Sequence, residues 1–270
     1  MNRKFLIIFF ITLTNISCKT NCQKSISLAK YYYANGDFSR AIKYYNLCLK
    51  CDSVNGDFYF YRGSSYANVS DYKRAIIDLS KAIQKGANTA NCNLNLGLSY
   101  LKNGDYQQAS FSLFAAYLLD SSNIETVVLL GTSCYYNENH ECSKIYLLKA
   151  FDSVYNNETL LRILGNSYFN LKNYDNSITV YNLLIEKYGD SLVFHRGRLA
   201  SYLKLNNYEK AFEDCNFILK NDSLNVFALS GRVLCYNYLN QNENACKDLE
   251  KLKGLKSEFY NDLKAVTKCQ

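Results

Sequence analysis

Small and aromatic residues recur along this chain at an interval of 34. Leu96-Gly97-Leu98-Ser99-Tyr100 runs on through Asn103-Gly104-Asp105-Tyr106 to Ala109, and Leu164-Gly165-Asn166-Ser167-Tyr168 runs on to Asn173-Tyr174. Each stretch has Leu-Gly, a Tyr three residues after the Gly and another Tyr six further on, and the two lie 68 residues apart, twice 34. A 34-residue ruler laid from Cys22 begins repeats at Cys22, Gly56, Ala90, Ile124, Glu158, Leu192 and Val226 and ends at Phe259. Its eighth position reads Ala29, Gly63, Gly97, Gly131, Gly165, Leu199 and Val233. The eleventh is Tyr in every repeat but the fourth, where it is Cys134, and the twentieth is always Ala or Ser, from Ala41 to Ala245. Small residues at positions eight and twenty predict two helices per repeat that approach closely.

Turn chemistry supports the same division. Gly36-Asp37, Ser70-Asp71, Gly104-Asp105 and Asn206-Asn207 fall between the two helices of a repeat. Gly suits a left-handed helix end and Asp or Asn caps the next helix. Position 34 is Asn55, Thr89, Asn123, Asn157, Ser191 and Asn225, all good N-caps.

These features resemble the tetratricopeptide repeat family. The resemblance implies an all-α, right-handed α-solenoid of seven helix–turn–helix repeats spanning 22–55, 56–89, 90–123, 124–157, 158–191, 192–225 and 226–259. A C-terminal capping helix and tail, 260–270, would close the array. Where the family favours Pro at position 32, this chain has Ser53, Ser121, Ser223 and Ser257, in keeping with a sequence that contains no Pro.

Comparison among repeats sorts individual residues. Arg occupies position seven in repeats two, six and seven (Arg62, Arg198, Arg232), and the same repeats carry Asp at position 23 (Asp78, Asp214, Asp248). The other four repeats have neither, which predicts structural Arg–Asp pairs between the two helices, since a buried charge must be paired. Of 11 Cys, Cys48, Cys134 and Cys215 replace core residues and are expected to be buried. Cys48 and Cys51 lie three apart on one helix, a poor disulfide geometry. Cys246 and Cys269 are the disulfide candidates, because the capping helix should fold back on the last repeat. His140 and His195 sit at normally aromatic or apolar positions and are expected to pack rather than act as bases.

The N-terminus changes the picture of where the chain works. Arg3-Lys4 precedes the apolar run Phe5 to Leu13, followed by Thr14-Asn15-Ile16-Ser17-Cys18. This reads as a secretory signal over 1–18, and its ending resembles a bacterial lipoprotein signal in which Cys18 is lipidated. The expected location is the bacterial cell envelope, on a lipid anchor, with a soluble periplasmic or secreted protein as the alternative. Four Asp-Ser-aliphatic triplets, at Asp52, Asp152, Asp190 and Asp222, resemble an O-glycan acceptor motif; building turns is their simpler use.

The formal net charge of +7 is spread without a Lys/Arg run, so nucleic acid is not an expected partner. No phosphate loop, nucleophile elbow or HExxH motif is present, and no cofactor, metal site or enzymatic activity is expected. Binding another protein is the function the resemblance implies. In the family, positions 2, 5, 9, 12 and 13 line a concave groove. Carried over, they give Lys30, Tyr33, Phe60, Leu94, Leu98, Leu101, Val128, Tyr135 and Tyr136 in the first four repeats, and Arg162, Asn166, Phe169, Asn170, Arg196, Lys204, Phe227, Asn237 and Tyr238 in the last three. The groove would be aromatic and aliphatic at one end and basic with amides at the other. A structural subunit acting through convex surfaces or self-association is the alternative.

Overall fold

The structure, a computed structural model, describes residues 20–269, all of whose regular structure is helical; the leader and Cys18 lie outside the described residues. The chain divides into two compact units at Asn137/Glu138. The first holds α1 (20–34), α2 (Phe38–Cys51), α3 (Gly56–Asn68), α4 (Tyr72–Gln84), α5 (Ala90–Asn103), α6 (Tyr106–Leu119) and α7 (Ile124–Tyr136). The second holds α8 (His140–Lys149), α9 (Phe151–Tyr155), α10 (Glu158–Asn170), α11 (Tyr174–Tyr188), α12 (Leu192–Lys204), α13 (Tyr208–Asn221), α14 (Val226–Tyr238), α15 (Asn242–Gly254) and α16 (Tyr260–Val266). The first helices of repeats two to seven begin at Gly56, Ala90, Ile124, Glu158, Leu192 and Val226, the opening positions of the 34-residue ruler.

Capping explains why the helices start there. Asn55, Thr89, Asn123, Asn157 and Asn225 each accept a backbone N–H of the first turn through the side chain. Ser191 opens α12 without a side-chain cap; its backbone carbonyl accepts from Phe194 and His195 instead. Within repeats the connection always passes through a left-handed residue: Gly36, Ser70, Gly104, Glu138, Lys172, Asn206 and Asn240, with φ between 54° and 87°. Only two are Gly, so five repeats hold a side chain in backbone space that costs an L-residue energy.

Each unit builds its core from the positions that repeat. Gly97 shows why position eight is small: a Cβ there would lie 2.5 Å from Leu113 Cγ on α6. Later repeats move the close approach, since Leu199 and Val233 fill position eight as buried residues while a Cβ on Gly197, two positions earlier, would fall 2.1 Å from the Tyr181 ring. The second half of repeat four departs from the pattern, breaking at Ala150 into α8 and the short α9. The triplets at Asp52 and Asp222 lie at turns, Asp190-Ser191 lies in the connection that leads into α12 at Leu192, and Asp152-Ser153-Val154 lies inside α9. Among the described residues no helix is long and apolar enough to cross a membrane.

Candidate functional site

The face made by the first helices of unit 2 carries a cleft of about 400 Å³. Its apolar lining comes from Phe169 of α10, Leu203 of α12, Phe227 and Leu234 of α14, and Phe259 and Leu263 at the capping helix. On the ruler, Phe169 and Leu203 are both position 12, Ala200 and Leu234 position nine, and Phe227 position two. The repeat therefore brings equivalent positions of successive helices into one hollow. Lys204 and Asp262 supply charge at its lining, and the Arg196 guanidinium sits 5.4 Å from the centre of the Phe227 ring. Ser230 Oγ, also in the lining, is shut off from solvent without a hydrogen-bond partner. Such an arrangement suits an apolar side chain with an acidic neighbour, because burial drives the first contact and Arg or Lys selects the second.

The capping helix is fixed as part of this wall. Leu263 is buried, Thr267 Oγ1 accepts from Asn237 Nδ2 at 2.9 Å, and a Cys246–Cys269 disulfide with Cα atoms 5.7 Å apart ties the tail to α15.

Tetratricopeptide repeat models match residues 26–91, 90–123 and 161–191. This chain is a tetratricopeptide-repeat protein. Solved structures of similar fold include the C-terminal part of a TPR repeat-containing protein from Cytophaga hutchinsonii, 17% identical, covering 87% of this chain and 97% of that one with a TM-score of 0.60. YrrB, described as a TPR protein with an unusual peptide-binding site, is 18% identical over 68% of this chain and 95% of its own, with a TM-score of 0.60. MamA AMB-1 is 20% identical over 64% of this chain and 94% of its own, with a TM-score of 0.57. No functionally curated protein matches the sequence. The likeness establishes the fold.

The tetratricopeptide frame distributes the remaining groove-position residues unevenly. Lys204 lines the cleft and Arg196 borders it through Phe227, while Arg162 is half-buried on α10. Asn166 accepts the Tyr181 hydroxyl at 2.5 Å, so its carbonyl holds two helices together, and Asn170 Nδ2 donates to the Asn166 backbone carbonyl. In unit 1, Lys30 is exposed and Leu98 half-buried. Tyr33 packs edge-on against Phe38 and Tyr61, and Phe60 packs against Tyr61. Tyr135 lies edge-on to Tyr136, which stacks on Tyr106. Tyr238, about half exposed, leans on Tyr208.

Position seven carries a three-part clamp. Arg62 Nε and Nη2 donate to both Asp78 oxygens at 2.6 and 2.7 Å, and Nη1 donates to Asn46 at 2.6 Å. Arg198 repeats this with Asp214 and Asn182, and Arg232 with Asp248 and Asn216. The Asn is the member that repeat comparison missed. It occupies position 25 of the preceding repeat, and Asn stands there only before a repeat with Arg at position seven.

Two residues expected to be buried are buried and have partners besides. His195 is buried, yet it is no simple packing residue: Nδ1 meets Asp214 at 2.6 Å, Nε2 meets Asp190 at 2.9 Å, and the ring stacks on Phe217. Burial alone would lower its pKa, but the hydrogen bonds to Asp214 and Asp190 outweigh burial and raise it. With both nitrogens engaged, the ring ties α12 to Asp214 of α13 and to Asp190 in the preceding connection. Cys134 is buried but oxidised, and Cys142 is also disulfide-bonded. Cys51 pairs with Cys22, 29 residues away, leaving Cys48 as a buried thiol. Cys215 is a buried thiol too, its pKa pushed up by its hydrogen bond with Cys235 and by burial.

Proposed function

We propose that this tetratricopeptide protein is a non-enzymatic adaptor of the bacterial cell envelope that holds a segment of another protein in the unit 2 cleft. Export by the 1–18 leader and lipid attachment at Cys18 would place it on a membrane surface. The observation that supports the binding role is the cleft itself, an apolar hollow built from equivalent positions of successive first helices and bordered by Arg196 and Lys204. An anchor such as Phe or Leu enters the hollow, and an adjoining Asp or Glu meets the two cations. Aromatic and Arg groups are the usual anchors of protein interfaces.

The test is crosslinking and mass spectrometry of partners captured from native envelopes by wild type and by an Arg196→Glu/Lys204→Glu variant. Both residues are exposed, so circular dichroism should show unchanged helicity. A partner captured by wild type and lost by the variant carries the reading; equal capture by a folded variant overturns it. Fatty-acid labelling that persists in Cys18→Ser would refute the anchor.

A further inference from the structure

Helix α6 is apolar on both sides. Its inner face supplies Ala109, Leu113 and Ala116, all fully buried, to the core of unit 1. Its outer face shows Phe111 at 61%, Phe114 at 43% and Leu118 at 69% exposure, with Leu119 beside them. The inner residues satisfy the fold, so the outer ones are surplus to it.

Comparison in register shows how unusual this face is. Phe111, Phe114 and Leu118 are positions 22, 25 and 29 of repeat three. The same positions read Lys43, Asn46 and Lys50 in repeat one, Ile77, Ser80 and Gln84 in repeat two, and Ile145, Leu148 and Asp152 in repeat four. They read Thr179, Asn182 and Glu186 in repeat five, Glu213, Asn216 and Lys220 in repeat six, and Lys247, Glu250 and Gly254 in repeat seven. Repeat three alone makes all three large and apolar, and α6 contains no charged residue over its 14 positions.

We propose that the outer face of α6 is a self-association surface, by which two copies of this chain pair helix against helix in antiparallel fashion. Three features select a second copy as the occupant. The chain carries a net charge of +7, so two copies repel over most of their surfaces, and an uncharged face lets them meet without opposing like charges. The spacing Gln107, Phe111, Phe114, Leu118 alternates four and three residues, the seam that one helix offers to another. Antiparallel pairing about a two-fold axis between Phe114 and Ala115 sets Phe111 against Leu118 of the second copy, in both directions at once, and opposes the helix dipoles favourably. A single-helix contact is small for a specific interface, so the pair is concentration-dependent. The surface lies wholly in unit 1 and does not depend on the cleft.

Light scattering coupled to size exclusion across a dilution series tests this. Wild type should approach twice the mass of one chain at the concentrated end and the single mass on dilution. Phe111→Glu/Leu118→Glu should stay monomeric at every concentration, with helicity unchanged because both side chains are exposed. Phe111→Glu/Leu118→Lys should recover the dimer, since the antiparallel arrangement places each new acid opposite a new base. A wild type that is monomeric throughout overturns the proposal, as does a dimer that survives Phe111→Glu/Leu118→Glu. Failure of the Glu/Lys variant to dimerise overturns the antiparallel arrangement. Monomeric wild type that sediments with phosphatidylcholine vesicles, and loses this with the double Glu substitution, makes the face a lipid contact instead.

Discussion

Replacing Arg232 by Leu probes the clamp in its simplest setting. The guanidinium holds both oxygens of Asp248 at 2.7 and 2.9 Å, and the Asp248 side chain is only 4% exposed. Removing one partner of a buried pair strands the other charge, at a cost of about 3–5 kcal/mol. Lys251 Nζ, 3.4 Å from Asp248, offers only a half-exposed substitute. The chain supplies its own control: repeat five carries Leu164 and Val180 at the same two positions and folds the same hairpin. Arg232→Leu/Asp248→Val copies that solution, and its stability should return to within about 1 kcal/mol of wild type, because a well-packed apolar pair commonly matches a buried ion pair. Repeat arrays open piecewise, so the readout is native-state hydrogen exchange of α14 and α15 by mass spectrometry. At about 1.4 kcal/mol per tenfold, the single substitution should lower protection there by roughly two to three and a half orders of magnitude. Asn216→Ala should weaken wild type, by about 1.5–3 kcal/mol where a bond to a charged donor is lost, and do nothing in the Leu/Val background. If the Leu/Val variant is as unstable as Arg232→Leu, or if the single effects simply add, Arg232 and Asp248 are not a coupled pair.

Lys172→Gly should stabilise unit 2 by about 0.5–1 kcal/mol in thermal or denaturant unfolding, because Lys172 is exposed and held at φ 60°. Tyr45→Phe should stabilise unit 1 by about 1 kcal/mol, since the buried Tyr45 hydroxyl has no hydrogen-bond partner. His195 has a raised folded-state pKa, so its stabilising contribution is complete below the ordinary histidine pKa and is lost as pH rises through the folded value; hydrogen exchange of α12, corrected for intrinsic rates, should show weakening as pH rises above the ordinary histidine pKa, and His195→Gln should abolish it. Cys22→Ser and Cys269→Ser each release a disulfide, spanning sequence separations of 29 and 23, and should each cost about 3.5 kcal/mol by the chain-entropy estimate.

The helical hairpins were legible because close packing imposes a residue size at fixed places: a Cβ on Gly97 would lie 2.5 Å from Leu113 Cγ. N-caps were legible for a similar reason, since Asn55 and Thr89 satisfy specific orphan N–H groups. Groove residues are another matter. Position nine of repeat five is Asn166, and nothing in its own identity says that its carbonyl is taken by a Tyr hydroxyl from the next helix. Tyr33 likewise belongs to an aromatic cluster with Phe38 and Tyr61. A position on the correct helix face fixes direction, whereas availability depends on neighbours brought in by packing. Disulfides show the same limit: Cys51 lies three residues from Cys48, and only the place where α1 comes to lie decides that Cys22 reaches one and leaves the other a thiol.

Position 25 links what the chain uses internally to what it offers outside. Asn at that position is drawn to the Arg of the following repeat, and the second helix that carries it has polar or charged neighbours along its outer row: Lys43 and Lys50, Thr179 and Glu186, or Glu213 and Lys220. Repeat three precedes a repeat with Leu130 in place of Arg, so no guanidinium calls for an amide there. Phe114 takes the position, and Phe111 and Leu118 extend it into an apolar row that the core does not bury. Absence of the clamp permits this substitution without requiring it, since Ser80 and Glu250 also precede no Arg. Three adjacent apolar choices on one exposed face, where a single Ser or Glu would have served the fold, are what a contact surface adds to the demands of packing.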